Sequence, residues 1–232
     1  MRPCPDPPRA VRAPARPRGF TLIELLVALA ITAIMFTIGY VELDQAMKSR
    51  REVDEQAARL IAIQQAVRTI EQDFELLQPR PVRNLLGDGY LAAVDTNPSD
   101  IGTPQTLSSS AATATPIVSF TRAGWTNPVG LQRSELQRVT YVIQNGALIR
   151  QYYPVLDATL QDAVISRTLI NHVQGFSLRF MDAGHNWQTQ WPATAIAGSK
   201  PEILLRSRPV AVEVTLQLAD WGLIVRDIEV AG

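Results

Sequence analysis

A run of 22 mostly apolar residues, from position 20 to position 41, most constrains what this chain can fold into. Glu24 is the only charged residue within it. An α-helix of this length is roughly 33 Å long, which is enough to cross a bilayer core of about 30 Å. The run therefore predicts one membrane-spanning helix over residues 20–41.

The segment before this run has the opposite character. Residues 1–19 contain six prolines and five arginines, and Asp6 is their single acidic residue. Prolines interrupt helices, and so polar a segment buries little apolar surface, so we expect a disordered leader. Because basic residues flank membrane helices on the cytoplasmic side, the leader also predicts a cytoplasmic N-terminus and a single pass.

Gly19 stands at the border between the leader and the apolar run. An ordinary secretory signal has a shorter apolar region, and its small-residue cleavage site follows that region. Here the small residue precedes the apolar run. Cleavage after Gly19 would remove the leader and keep the helix, so we expect Phe20 to be the first residue of a mature, membrane-anchored chain.

Glu24 places a carboxylate near one end of the predicted membrane helix. A charge at that depth is unfavourable unless it is paired, so such residues usually have a function. We expect the new α-amino group of Phe20 on a neighbouring subunit to neutralise it. The alternative is that the Glu24 side chain merely reaches the polar membrane interface.

Residues 18–25, RGFTLIEL, are similar to the processing site of type IV pilins and type II secretion pseudopilins. The resemblance implies cleavage after Gly19 and N-methylation of Phe20 by a prepilin peptidase. It also implies that Glu24 guides docking of the subunit into a filament. The leader of 19 residues is long for a pseudopilin, which leaves Met1 and Val11 as alternative translation starts.

Residues 42–78 continue the helix with an amphipathic pattern. Apolar residues recur at steps of four and three, at Val53, Ala57, Leu60, Ile63, Val67, Ile70, Phe74 and Leu77. Such a stripe is typical of a helix that packs on a core, although a coiled-coil partner would give the same spacing. Pro79 and Pro81 end the pattern. We expect the stripe to cover a sheet formed by residues 79–232.

The hydrophobic period changes to two beyond Pro116. Residues 136–144 and 147–152 flank Asn145-Gly146, a strong hairpin signal, and further strands are predicted at 173–181, 210–218 and 222–230. The inward-facing residues are predicted to be Val139, Tyr141, Ile143, Leu148, Tyr152, Phe176, Leu178, Phe180, Val210, Val212, Val214, Leu216 and Leu218. The fold class is therefore α+β, with a long N-terminal helix packed on antiparallel β-sheets.

Several later segments resemble the J-type minor pseudopilin of type II secretion. These are residues 73–74, 78–83, 120–128, 136–141, 152–157, 176–180, 184–187 and 191–192. The resemblance implies a pilin-like fold, a single pass through the inner membrane and a globular domain in the periplasm. It also implies a place at the filament tip with the I-type and K-type minor pseudopilins and the major pseudopilin. That tip helps to initiate the pseudopilus, which drives export of folded proteins.

Catalytic and metal-binding functions find little support in the sequence. His172 and His185 are the only histidines, and Cys4, the only cysteine, lies in the predicted leader. No nucleophile elbow or phosphate-binding glycine loop occurs, so we predict no enzymatic activity and no cofactor.

One acidic cluster resembles a calcium loop only loosely. Asp95, Asn97 and Asp100 lie close together in a predicted loop over residues 94–116. They lack the turn glycine and the final glutamate that such loops use. A polar surface loop is therefore the favoured interpretation, and no metal is predicted.

The main alternative function is a minor pilin of a type IV pilus or a DNA-uptake pseudopilus, because the same membrane helix would serve either. Residues 20–232 contain 17 basic and 21 acidic residues and no basic patch interleaved with aromatics, which argues against nucleic acid. Many pilins carry a C-terminal disulfide loop, and these residues contain no cysteine.

The globular region is therefore expected to act by binding other proteins. Aromatic residues are enriched among interface hot spots. Trp125, Tyr153, Trp187 and Trp191 lie in predicted loops or near strand ends, and we name them as candidate partner contacts. The alternative for each is that it packs beneath a loop.

Overall fold

A computed structural model describes residues 19–97, 115–193 and 200–231. The chain divides into two compact units, Met1–Ala57 and Ala58–Gly232. Helix α1 (Leu22–Glu75) contributes to both. Residues 1–18 of the predicted leader and most of the predicted loop at 94–116 lie outside the described residues.

The described part of the first unit is the N-terminal portion of α1. The helix begins after Thr21, whose carbonyl accepts hydrogen bonds from the backbone N–H groups of Glu24 at 3.1 Å and Leu25 at 3.2 Å. None of the residues in its most apolar stretch of 18 is buried. By length and composition this helix can cross a membrane, as the sequence predicts.

The second unit combines the C-terminal part of α1 with three antiparallel sheets. The strands are β1 (Val82–Arg83), β2 (Tyr90–Leu91), β3 (Val94–Asp95), β4 (Thr115–Arg122), β5 (Gln137–Gln144), β6 (Ala147–Tyr152), β7 (Ile165–Asn171), β8 (Val173–Met181), β9 (Trp187–Gln188), β10 (Ala211–Leu218) and β11 (Gly222–Glu229). Their order is β1-β2 in one sheet, β3-β4-β5-β6-β7 in the second and β11-β10-β8-β9 in the third. A short helix, α2 (Pro201–Arg206), precedes β10. The α+β prediction is confirmed.

The predicted hairpin joins β5 and β6 with a two-residue turn. Asn145 and Gly146 have φ angles of 52° and 71°, the left-handed conformation that this turn requires. Gln144 consequently pairs with Ala147. The same register places Val139 opposite Tyr152 and Tyr141 opposite Arg150, so a charged residue lies on the inward face that the sequence pattern presents as apolar.

The core lies between α1 and the two larger sheets. The helix contributes Ile63, Ala66, Ile70 and Phe74, followed by Leu77 just after its end, and all five are buried. Aromatic rings connect the layers, with centroid distances of 4.7 Å for Phe74–Phe120, 6.0 Å for Phe120–Tyr141 and 5.9 Å for Tyr141–Phe176. Phe176 belongs to β8, so this row of rings runs from the helix through the five-stranded sheet to the four-stranded one.

The predicted apolar stripe is too long at its N-terminal end. Val53 and Leu60 are 60% and 37% exposed, and Ala57 is also exposed. Val53 and Ala57 belong to the first unit, whose described residues include no strand to cover them. Val210, which was predicted to face inward, is also 40% exposed, and it lies one residue before β10 begins.

Candidate functional site

The predicted processing site lies just outside the first turn of α1. Gly19 and Phe20 precede the helix, and the Phe20 side chain is 84% exposed. Peptide bonds in exposed, non-helical segments are the ones that proteases reach most readily. The structure therefore leaves the bond between Gly19 and Phe20 accessible.

Glu24 lies in the first turn of the helix, where its carboxylate interacts favourably with the helix dipole. Its backbone N–H is capped by the Thr21 carbonyl and lies 3.4 Å from the Thr21 hydroxyl. Within the described ranges no side chain pairs with the Glu24 carboxylate.

A second acidic residue of α1, Asp73, is fully buried in the second unit. Its carboxylate accepts hydrogen bonds from Arg122 Nη1 at 2.5 Å, Arg150 Nε at 2.6 Å and Tyr141 Oη at 2.8 Å. Arg150 Nη2 adds a contact of 3.2 Å to Asp73 and donates to Gln137 Oε1 at 2.8 Å. We call these five residues the Asp73 cluster. It joins the end of the helix to β4, β5 and β6.

Burial and the charge of Asp73 together determine the protonation of the cluster. Burial raises the pKa of Tyr141 well above its usual value, and the negative charge of Asp73 raises it further. Burial alone would lower the pKa of Arg150, but the hydrogen bond and charge of Asp73 outweigh it and leave that pKa raised. Tyr141 is thus neutral and Arg150 charged at physiological pH. The hydrogen bonds and ion pairs of the cluster hold the C-terminal end of the helix against β4, β5 and β6.

The Asp73 cluster was not predicted from the sequence, although the sequence contains two signals for it. Asp73 lies three residues after Ile70 and four before Leu77, so it falls on the apolar stripe. The hairpin register alone places Arg150 opposite Tyr141 on the inward face. Asp73 is an acid on the apolar stripe of the helix, and Arg150 is a base on the strand face that the helix covers. Together they predict a buried ion pair.

Asp95, in the segment that loosely resembles a calcium loop, makes contacts within the fold. Asp95 is 4% exposed, its Oδ1 accepts the backbone N–H of Asn97 at 2.8 Å, and its charge acts on the buried Arg138. Burial lowers the Arg138 pKa to about 10, and Asp95 opposes that effect. Asp100 lies outside the described residues. In the described part of the chain, no three His, Cys, Asp or Glu side chains are grouped as a metal site would need.

The four candidate aromatic contacts occupy two different environments. Trp191 is 2% exposed and donates from its indole nitrogen to the Ser207 carbonyl at 3.2 Å, and Tyr153 is 9% exposed. Both are therefore packed beneath the surface, so the alternative holds for these two candidates, and neither offers an exposed ring to a partner. Trp125 and Trp187 are half-buried.

Comparison with known proteins assigns both regions of the chain. The family model for type II secretion system protein J matches residues 42–230, and the prokaryotic N-terminal methylation motif matches residues 14–40. Type II secretion system protein J of Klebsiella pneumoniae is 29% identical over 212 residues, covering 91% of this chain and 93% of the relative. The Escherichia coli protein of the same name is 30% identical over 218 residues, with 90% and 93% covered.

A solved structure shows the same fold. It is a chain in the crystal structure of the GspK–GspI–GspJ complex from the type 2 secretion system of enterotoxigenic Escherichia coli, with a TM-score of 0.58 and 28% identity. The match covers 75% of this chain and 98% of the solved one. With the family model matching most of its length, this chain belongs to the type II secretion system protein J family.

Proposed function

We propose that this minor pseudopilin is a tip subunit that assembles with I-type and K-type minor pseudopilins and helps to initiate the pseudopilus. The observation that carries this proposal is a matched fold whose solved relative was crystallised in a GspK–GspI–GspJ complex. The exposed apolar helix supports it, because such a helix finds apolar partners only in lipid or in other helices. The role is one of binding and assembly rather than catalysis.

The proposal assigns a role to each part of the chain. Residues 1–19 are the leader that prepilin peptidase removes, and residues 20–41 remain in the inner membrane. Residues 42–78 continue the helix, and residues 79–232 form the globular region in the periplasm. The major pseudopilin is the neighbour below the tip.

Processing is tested by mass spectrometry of the chain isolated from membranes. We expect a mature N-terminus at Phe20 that carries one added methyl group, since the accessible Gly19–Phe20 bond precedes the helix. A mature N-terminus beyond residue 41 would mean that the apolar helix is removed, and would contradict the assignment.

Assembly is tested with the full chain and its cognate I-type and K-type partners, co-expressed in membranes and purified in detergent through a tag on this chain. We expect a stable complex with one copy of each subunit, measured by light scattering. A chain that purifies alone at micromolar concentration would overturn the tip assignment and favour a minor pilin of a type IV pilus or DNA-uptake pseudopilus.

A further inference from the structure

The connection between β4 and β5 presents two exposed apolar side chains. Val129 is 79% exposed and Leu131 is 61% exposed. Val129 is the most exposed large apolar residue in the described part of the second unit. We refer to residues 123–136 as the Trp125 loop, and to Val129 and Leu131 as its tip.

The backbone of the tip is fixed by a single asparagine. Asn127 Nδ2 donates to the Leu131 carbonyl at 2.7 Å, and Asn127 Oδ1 accepts from the Leu131 N–H at 2.9 Å. The Asn127 carbonyl accepts from the Gly130 N–H at 3.2 Å, and Gly130 has a φ of 69°. These bonds close the tip into a ring. They satisfy the N–H groups of Gly130 and Leu131 and the carbonyl groups of Asn127 and Leu131, while the apolar side chains of the tip are exposed.

The base of the loop is fixed by an aromatic stack. The Arg133 guanidinium lies 3.4 Å from the centre of the Trp125 ring, and Arg133 Nη2 donates to the Thr126 carbonyl at 2.6 Å. The Trp125 ring meets Tyr152 of β6 edge-on at 6.0 Å, and its backbone N–H donates to the Glu135 carbonyl at 3.2 Å. Trp125 thus supports the loop from beneath.

We propose that the Trp125 loop is a preformed docking element whose tip, Val129 and Leu131, inserts into an apolar pocket on another pseudopilin subunit. This inference rests on the function proposed above, and it names the surface that the assembly uses. A loop ordered before binding loses little conformational freedom when it docks, so more of the interaction free energy of its apolar tip appears as affinity.

The charges around the tip favour a protein over a lipid surface. Peripheral membrane binding uses exposed Lys and Arg side chains next to the apolar residues. Arg133 is engaged with Trp125 and Thr126, and Arg122 at the end of β4 is engaged with Asp73. The tip is therefore apolar and uncharged, which suits a protein pocket.

Photo-crosslinking in the intact membrane tests the contact directly. The full chain carries p-benzoylphenylalanine at Val129 or Leu131 and is expressed with the complete cognate secretion system. The control position is Leu86, which is 70% exposed in another tight turn. We expect the two tip positions, and not the control, to give a product that mass spectrometry identifies as a second pseudopilin. Products with lipid only, or no product, would overturn the proposal.

The energetic test uses the double variant Val129→Ser/Leu131→Ser in the full chain. We expect its affinity for the cognate pseudopilins in detergent to fall at least about tenfold, because the loss of even one of the two apolar contacts is worth roughly that factor. Leu86→Ser is the matched control and should bind within about twofold of wild type. Thermal unfolding should be unchanged in both variants, since these side chains are exposed.

Two failures can be told apart. If the wild-type chain binds no cognate pseudopilin, the proposed function fails, and this inference fails with it. If the wild-type chain binds but the double variant binds equally well, the loop assignment alone is wrong.

Discussion

Helix α1 has an acidic residue among apolar neighbours near each of its ends, and the two carboxylates have opposite surroundings. Asp73 is fully buried and accepts hydrogen bonds from two arginines and a tyrosine of its own chain. Glu24 is exposed, and no described side chain pairs with it. The same helix therefore contains one charge that completes the fold and another that contributes nothing to the described core.

This contrast separates residues that stabilise the second unit from residues that its folding does not need. The residues that hold the second unit together can be altered only at the expense of folding. The residues exposed on the first unit contribute nothing to the described core, so alterations there should leave the second unit intact. Each prediction below tests one side of that division.

The largest effect is expected for Asp73→Ala. It leaves Arg150 and Tyr141 without their buried partner, and removing one member of a buried ion pair costs about 3–5 kcal/mol. All four tryptophans lie within the second unit, so thermal unfolding of the full chain in detergent can be followed by their fluorescence.

Glu71→Ala on the same helix is the control. Its ion pair with Arg226, at 3.3 Å, is partly exposed and should contribute less than about 1 kcal/mol. Equal losses in both variants would contradict the role of the cluster.

A smaller effect is expected when Asp73 and one of its two arginines are replaced together. Asp73→Leu/Arg150→Met removes the carboxylate and the more buried arginine, so only Arg122, which is 14% exposed, is left without its acid. The loss of stability should therefore be smaller than that of Asp73→Ala. The outcome that would count against this interpretation is a loss at least as large as that of Asp73→Ala, which would mean that packing rather than charge pairing dominates at this site.

Features that depend on residues close together in the sequence were predicted, whereas features that depend on distant residues were not. Asn145-Gly146 determines a hairpin by backbone conformation alone, and the alternation in residues 173–181 predicts a half-buried strand. Strand β7 was not predicted, because its exposed face on the edge of the sheet carries no apolar alternation.

The candidate site was harder to predict because its geometry is nonlocal. The Asp73 cluster joins residues 49 and 77 positions apart, and no sequence window contains both ends. The support that Trp125 gives to the β4–β5 loop depends in the same way on Tyr152, which follows it by 27 positions. Burial of Trp191 depends on its packing against Phe180, with ring centroids 6.1 Å apart, and so could not be told from loop exposure in sequence.

A small, pH-dependent effect is expected near the beginning of the second unit. Arg59 binds Asp220 with contacts of 2.6 and 3.0 Å and donates to the Asn171 carbonyl at 2.9 Å. The hydrogen bond from Arg59 is the main reason why the pKa of Asp220 is lowered, and His172 contributes least. A carboxyl with a lowered pKa stabilises the fold above its unfolded pKa, near 3.9, and this contribution is lost as the pH falls through the folded pKa.

Arg59→Gln should therefore lower the melting temperature at pH 7, and the difference from wild type should shrink as the pH approaches 3. Comparing the two proteins at each pH cancels the other carboxyl groups that titrate in this range. A difference that stays constant from pH 7 to pH 3 would assign the effect to the Asn171 contact or to packing instead of the ion pair.

The smallest change in stability is expected for Glu24→Ala, and its effect on function should be the clearest. The side chain is exposed and belongs to the first unit, so tryptophan fluorescence should report the same unfolding temperature as wild type. Membrane insertion should persist, because removal of a charge favours the apolar phase. If the α-amino group of a neighbouring Phe20 pairs with Glu24, as the sequence predicts, secretion at native expression level should nevertheless fall. Glu24→Gln separates charge from size, and it should fail as the alanine variant does. Normal secretion by both variants would show that Glu24 is not the charge reserved for a partner, and the division between the two ends of the helix would no longer hold.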